Sequence, residues 1–286
     1  MDTHPAIPQP ASMAHDKAGA LAARYGRAVP QAGPWNDAIG LLLSHRSVRG
    51  YRPDPAPPGT LETIVAAAQS AATSSNLQTW SVVSVTEPAA RTELARIANN
   101  QKHIEECPIF LVWCADLSRL ARLAEAERVE LEALPYFETF LVAAIDAALA
   151  AQNASVAAEA LGLSTVYIGA LRNRPEEVAA LLGLPPGAMA VFGHCIGYAK
   201  PEAAAEVKPR LPQSVVLHHG RYGVPAAQEA AARRAYDATL EEFSERNGMG
   251  KVDWSGRAIN RTGTVKALSG RHILRETLNR MGFPLK

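Results

Sequence analysis

Cysteine is scarce, with three in 286 residues. Cys107, Cys114 and Cys195 have no C-x-x-C spacing, which excludes a dithiol redox motif and a zinc ribbon. Two of them lie in apolar runs that read as strands, so all three are expected to be buried free thiols. Charge of either sign is not in excess: 29 Lys and Arg stand against 28 Asp and Glu. No strong field draws nucleic acid or a membrane surface, and any anion must be bound locally. No apolar run is expected to reach the ~18 residues that span a bilayer. The N-terminus lacks the basic and apolar regions of a signal peptide, so a reducing cytoplasm is the expected location and no membrane partner is expected. Fingerprints of the doubly wound nucleotide folds are missing too, since no G-x-G-x-x-G follows a strand and there is no P-loop. His103 with Glu105 and Glu106 has no second histidine and no H-E-x-x-H pattern, so no metal is expected.

Apolar residues are abundant, 48% of the chain, enough to bury a substantial core. Residues 1–34 carry Pro5, Pro8, Pro10, Pro30 and Pro34 among alanines and glycines. They read as an extension, partly disordered, with a short helix around Met13 to Tyr25 that Pro30 would stop. The ordered domain is expected over 35–286. It opens with a helix from Trp35 to Leu43, and Thr60 is expected to cap a second helix running to about Ala72. Ser81–Thr86, Ile109–Cys114, Ser164–Ile168 and Ala190–Tyr198 read as strands. Helices are expected over 88–98, after Pro175 and from Pro225 onward. Tyr136 to Leu161 is alanine-rich and apolar on every side, the pattern of a mostly buried helix, and Gly162 ends it. The class is α+β: a few strands with helices around them.

Five segments carry chemistry. His45-Arg46-Ser47-Val48-Arg49 places two guanidiniums, an imidazole and a hydroxyl at a helix end, a group suited to phosphate, although such a cluster taken alone is more often a solvated basic turn. Thr73 to Trp80 is packed with hydroxyls and amides before a buried strand; it suits the polar edge of a bound cofactor or a plain helix-to-loop exit. Gln101-Lys102-His103 offers Gln101 as a donor. Tyr167-Ile168-Gly169-Ala170 ends a strand in two small residues, which lets a planar ligand approach backbone amides. Lys208-Pro209-Arg210 presents two cations on a stiffened loop, which alone is also an ordinary basic loop.

In this order, H-R-S-V-R, Q-K-H, A-Q-N followed by G-L-x-x-V-Y-I-G, L-R-N, and K-P-R-L-P resemble the nitroreductase superfamily, in particular its oxygen-insensitive NADPH nitroreductases and NADPH–flavin reductases. The resemblance covers Trp35 to the C-terminus. It implies a nitroreductase-like fold, a central mostly antiparallel sheet surrounded by helices, in a domain-swapped type of homodimer with the 136–161 helix at the interface. It implies FMN as cofactor and NADPH as co-substrate. Reduction of nitroaromatics, quinones or free flavin would follow by ping-pong transfer at the flavin, without a catalytic side chain. Release of reduced FMN to a partner monooxygenase, or a non-catalytic flavin-binding role, are alternatives the sequence leaves open.

The resemblance also implies site roles. His45, Ser47, Lys208 and Arg210 match positions that hold the FMN phosphate; Arg46 and Val48 lie in the same loop. Arg49 and Gln101 match positions near flavin N1 and the C2 carbonyl, where a preplaced cation stabilises the negative charge of the reduced ring. Tyr167, Ile168, Gly169 and Ala170 match the segment whose amides approach N5 and O4, and Thr73 and Ser75 match cofactor contacts. Lys251, Arg257 and Arg261 are candidates for the 2′-phosphate of NADPH, although a solvated helix face explains them equally.

Overall fold

The computed structural model describes residues 16–203 and 205–286. In chain order its helices and strands are α1 (Lys17–Tyr25), α2 (Asp37–Ser44), α3 (Thr60–Gln69), β1 (Trp80–Ser84), α4 (Pro88–Ile97), α5 (His103–Glu106), β2 (Ile109–Asp116), α6 (Ser118–Glu127), α7 (Phe137–Ala160), β3 (Ser164–Ile168), α8 (Pro175–Leu182), β4 (Ala188–Gly197), α9 (Ala226–Arg246), α10 (Trp254–Thr262) and α11 (Leu274–Arg280). They fall into two compact units. One holds described residues 16–46, 160–162 and 205–260; the other holds 47–159, 163–203 and 261–286.

The second unit contains a four-stranded sheet in the order β1-β2-β4-β3, with every neighbouring pair antiparallel. β2 is central because its sequence, IFLVWCAD, leaves nothing polar to face water before Asp116, and all but its first residue are buried. Its side chains alternate between two cores. Phe110, Val112 and Cys114 enter one with Leu94, Ile104, Val166 and Cys195. Leu111 and Trp113 enter the other with Ile64 and Ala68 of α3 and Ala150, Ala151, Ala154 and Ala158 of α7. Those alanines let α7 lie close against the sheet.

α7 corrects one expectation. Its 24 residues are long and apolar enough, by length and composition, to cross a bilayer, so a run of that length does exist. One face is core, and the buried residues include Asp146 and Ser155. A second correction concerns α3: Thr60 is its first residue, and Gly59, at φ 82°, occupies the cap position without a side-chain bond. Only glycine adopts that left-handed turn without strain. The helix α6 was not anticipated at all.

The first unit is built on α1, α2, α9 and most of α10. Tyr236, Leu240 and Phe243 of α9 form a small core with Leu211 and Trp254. The sequence set residues 1–34 apart as an extension; of these, 17–25 form a helix in which Leu21 and Arg24 are buried. Residues 1–15, including the expected start of that helix at Met13, lie outside the described residues.

Candidate functional site

The first unit collects His45, Arg46, Lys208 and Arg210. α2 ends at Ser44, and its last turn leaves carbonyls that no backbone N–H can reach. Arg24 of α1, only 6% exposed, meets them: its guanidinium donates to Leu43 O at 2.6 Å and His45 O at 2.7 Å. The same guanidinium donates to Lys208 O at 2.8 Å, and Arg210 N donates to Arg24 O at 2.9 Å. The two basic segments, 163 residues apart in sequence from His45 to Lys208, are thereby tied to one buried side chain. Tyr236 adds a further bond, donating its hydroxyl to Pro209 O at 3.0 Å. Lys208 Nζ lies 5.8 Å from the centre of the Phe243 ring.

Burial raises the Tyr236 phenol above its ordinary value; Arg210, Arg257 and Arg24 oppose that rise, while Asp237 adds to it. Arg46 and Arg210 are exposed, and neither pairs with a carboxylate among the described residues. Arg210 rests instead on the carbonyls of Lys208 and Pro209, at 3.0 and 3.3 Å.

In the second unit, Ser47 bridges Thr165 in parallel register and Val48 N donates to Thr165 O at 3.1 Å. Ser47 and Val48 therefore run alongside β3 and in the same direction. Val48 is fully buried in the core, so only its backbone is available to a ligand. Arg49 is exposed and has no hydrogen bond or ion pair among the described residues. Burial lowers the pKa of His103 and Arg49 lowers it further; burial raises that of Tyr51, and Arg49 opposes the rise. Gln101 donates its amide to Ala98 O at 2.8 Å, leaving its side-chain oxygen as the remaining polar atom.

β3 delivers the Tyr167–Ala170 segment. The Tyr167 ring is fixed by stacking on His194 at 4.6 Å and by a bond from Ser155 Oγ at 2.9 Å; burial pushes its phenol up to about 12. Gly169 follows, and a Cβ there would stand 3.3 Å from Nη2 of Arg172. Arg172 donates to Val191 O, and burial followed by nearby Arg261 holds its guanidinium below the usual range. Arg271 is lowered by burial, Arg172 and Arg261 in the same way, and donates to Asn173 Oδ1 at 2.9 Å. Three arginines thus gather beyond the end of β3. Burial is the main cause of both shifts, and the neighbouring arginines add to it.

Of the three residues considered for the 2′-phosphate, only Arg261 belongs to this group. Lys251 lies in the first unit, paired with Glu241 at 3.1 Å, and Arg257 lies there beside Tyr236.

Residues 74–78 form a strained, exposed loop. Ser75, Asn76 and Gln78 all have positive φ, a conformation that costs non-glycine residues about 1–3 kcal/mol each and concentrates at functional sites. Thr73 does not offer a free hydroxyl, because its Oγ1 donates to Asp146 at 2.6 Å. Ser75 is exposed and unbonded among the described residues.

Sequence reasoning missed Arg24, Asp146, Arg172 and Arg271. The motif L-R-N did contain Arg172, but nothing in it distinguished the residue from a surface cation. Arg24 carried no signal beyond lying in an alanine-rich helix.

Comparison with known proteins gives the family of the chain. The nitroreductase family model matches residues 42–198, and the model of the family's C-terminal domain matches 208–286. The chain belongs to the nitroreductase family. It is 37% identical over 228 residues to an FMN reductase (NADPH) of Bacillus subtilis, covering 79% of this chain and 91% of that protein. It is 36% identical over 247 residues to an oxygen-insensitive NADPH nitroreductase of Salmonella typhimurium, covering 86% and 97%. The solved structure of NfrA1 from B. megaterium superposes with a TM-score of 0.81 at 37% identity, over 87% of this chain and all of that one. These matches support the expected antiparallel sheet with surrounding helices as a nitroreductase fold.

Proposed function

We propose that this protein is an FMN-dependent NADPH oxidoreductase that passes electrons to flat, electron-poor acceptors such as nitroaromatics, quinones or free flavin. The observation that carries the reading is the pair of basic segments, H-R-S-V-R and K-P-R, tied to one buried guanidinium within a chain of the nitroreductase family.

The residues present fit FMN. His45, Arg46, Lys208 and Arg210 supply the cationic and neutral donors that a phosphate monoester accepts. Arg49, exposed and without a partner among the described residues, suits the side of the ring that gains negative charge on reduction. Gly169 and Ala170 leave backbone amides accessible to a planar group. When bound, FMN supplies hydride acceptance and donation at its N5 atom. This chain's residues then have four tasks: to anchor the phosphate, to hold a cation near N1, to keep the ring edge against small side chains, and to admit an anionic co-substrate. Arg172, Arg261 and Arg271 suit the last task, since NADPH carries phosphates. Arg257 and Lys251 remain further candidates for its 2′-phosphate.

The working form proposed is a homodimer. Phe137, Leu141, Ile145 and Leu149 of α7 recur every four residues and are 51%, 40%, 48% and 43% exposed. That single apolar stripe lies on the helix whose opposite face is core, and a second copy of the same stripe would cover it. The three free, buried thiols suit a reducing cytoplasm. The division proposed for the chain keeps 35–286 as the FMN-binding domain and 1–34 as an extension that contributes α1.

The test is the absorbance of the purified protein through an anaerobic cycle. FMN absorbance that bleaches with NADPH and returns with a nitroaromatic or quinone supports the reading. Bound flavin that stays oxidised would leave a binding protein, and absence of any FMN affinity would overturn the proposal. Flavin that leaves the protein once reduced would favour a reductase that supplies free reduced FMN.

A further inference from the structure

We infer that Arg24 is the positioning residue of the phosphate site, supplied by α1 from outside the ranges that define the family. The inference rests on the FMN reading and deepens it.

The H-R-S-V-R segment follows the C-terminus of α2. That is the wrong end of a helix for an anion: its orphan carbonyls carry partial negative charge and repel phosphate. In this chain two of those carbonyls, Leu43 O and His45 O, receive both their hydrogen bonds and a full positive charge from Arg24. The third bond, to Lys208 O, fixes the second basic loop to the first. Arg24 therefore does two things at once: it cancels a local field hostile to phosphate, and it sets the spacing of the side chains that bind it. A planar fork with several donors can meet three carbonyls together, whereas an ammonium has no such geometry.

Arg24 is 6% exposed with its guanidinium engaged by carbonyls, so it acts through the residues it holds rather than as a ligand. Both family models begin C-terminal to it, the first at residue 42. A helix that the sequence sets in an N-terminal extension thus serves the cofactor site.

The measurement is flavin affinity of the full-length apoprotein, for FMN and for riboflavin, which differ only in the phosphate. Wild type is compared with Arg24→Gln, which keeps donors and loses the charge, and Arg24→Lys, which keeps the charge and loses the fork. Arg24→Gln is expected to weaken FMN binding about tenfold or more while riboflavin changes less than about twofold. Arg24→Lys is expected to retain more of the preference for FMN than Arg24→Gln does. A general packing defect would weaken both flavins alike, so a parallel loss overturns the inference, as does an unchanged FMN-to-riboflavin ratio in both variants. If Arg24→Gln does not fold, as judged by circular dichroism, the ratio measured for Arg24→Lys decides: unchanged from wild type, it overturns the inference. Wild-type protein that binds no FMN would instead defeat the functional reading itself.

Discussion

Thr73 donates its hydroxyl to the carboxylate of Asp146 at 2.6 Å across 73 residues of sequence. The same carboxylate accepts from Ser74 N at 3.2 Å, Thr79 N at 3.3 Å and Thr79 Oγ1 at 3.2 Å. A single buried acid on α7 therefore clamps both ends of the loop that holds Ser75, Asn76 and Gln78 at positive φ. Local preference would not keep three non-glycine residues in that conformation. Charge-assisted bonds to a side chain that is 2% exposed offset the strain.

Replacing that acid should release the loop. In Asp146→Asn the amide turns one acceptor into a donor, so at least one buried N–H or hydroxyl loses its partner, at a cost of about 1–3 kcal/mol. Urea unfolding should show a loss of that size, and limited proteolysis should cut faster between Ser74 and Gln78. Unchanged stability and unchanged cleavage would mean that the clamp is not what holds the loop.

Arg49 should matter for rate more than for retention of the cofactor. It is exposed and without a partner among the described residues, on a segment held beside β3 by Val48. Removing a donor placed where charge develops costs about 100–1000-fold in rate. Arg49→Gln is expected to slow anaerobic reduction of bound FMN by NADPH about tenfold or more, with FMN affinity changed far less. Stopped-flow absorbance reads the first and equilibrium titration the second; equal losses in both would assign Arg49 to anchoring alone.

Much of the fold is legible in the sequence because the core elements obey their own periodicity. β3 was read with its exact limits, since β-branched residues are bounded there by Gly162 and Gly169; α7 was read within one residue at each end from its continuous apolar composition. The cap of α3 was misread because Thr60 is a good capping residue and Gly59, one position earlier, is a better left-handed one. Arg24 and Asp146 were not legible as site residues for a different reason. Their roles come from bonds to partners 184 and 73 residues away, and no local pattern marks such a partner. The H-R-S-V-R and K-P-R segments stand out in the sequence because clustered cations leave a compositional trace, and the structure adds that one guanidinium ties them together.

The apolar stripe of α7 predicts its own test. Ile145 is 48% exposed, midway between Leu141 and Leu149, so a charge there disturbs no core contact yet would be buried unpaired in a helix-to-helix interface. Ile145→Glu should leave the circular dichroism of the chain intact and shift its mass in analytical ultracentrifugation from dimer to monomer. A buried uncompensated carboxylate costs several kcal/mol, enough to separate subunits at micromolar concentration. A wild-type monomer would remove the homodimer from the proposal.

His103 supplies a pH dependence whose sign follows from its surroundings. Burial is the main reason its pKa lies below the ordinary 6.5, with Arg49 lowering it further and Glu106 opposing. It is 8% exposed, and its Nε2 has no hydrogen-bond partner among the described residues. Between the depressed folded value and 6.5 the unfolded chain binds more protons than the folded one, so stability rises with pH across that window and is lost on acidification through it. Above 6.5 the residue contributes no slope. His103→Gln should flatten this part of the stability curve, by up to about 1.4 kcal/mol per pH unit relative to wild type. Arg49→Gln removes one of the two causes, so in apoprotein the His103 ring should titrate at higher pH, as read from its imidazole proton resonances. A titration that stays in place would show that Arg49 does not act on His103.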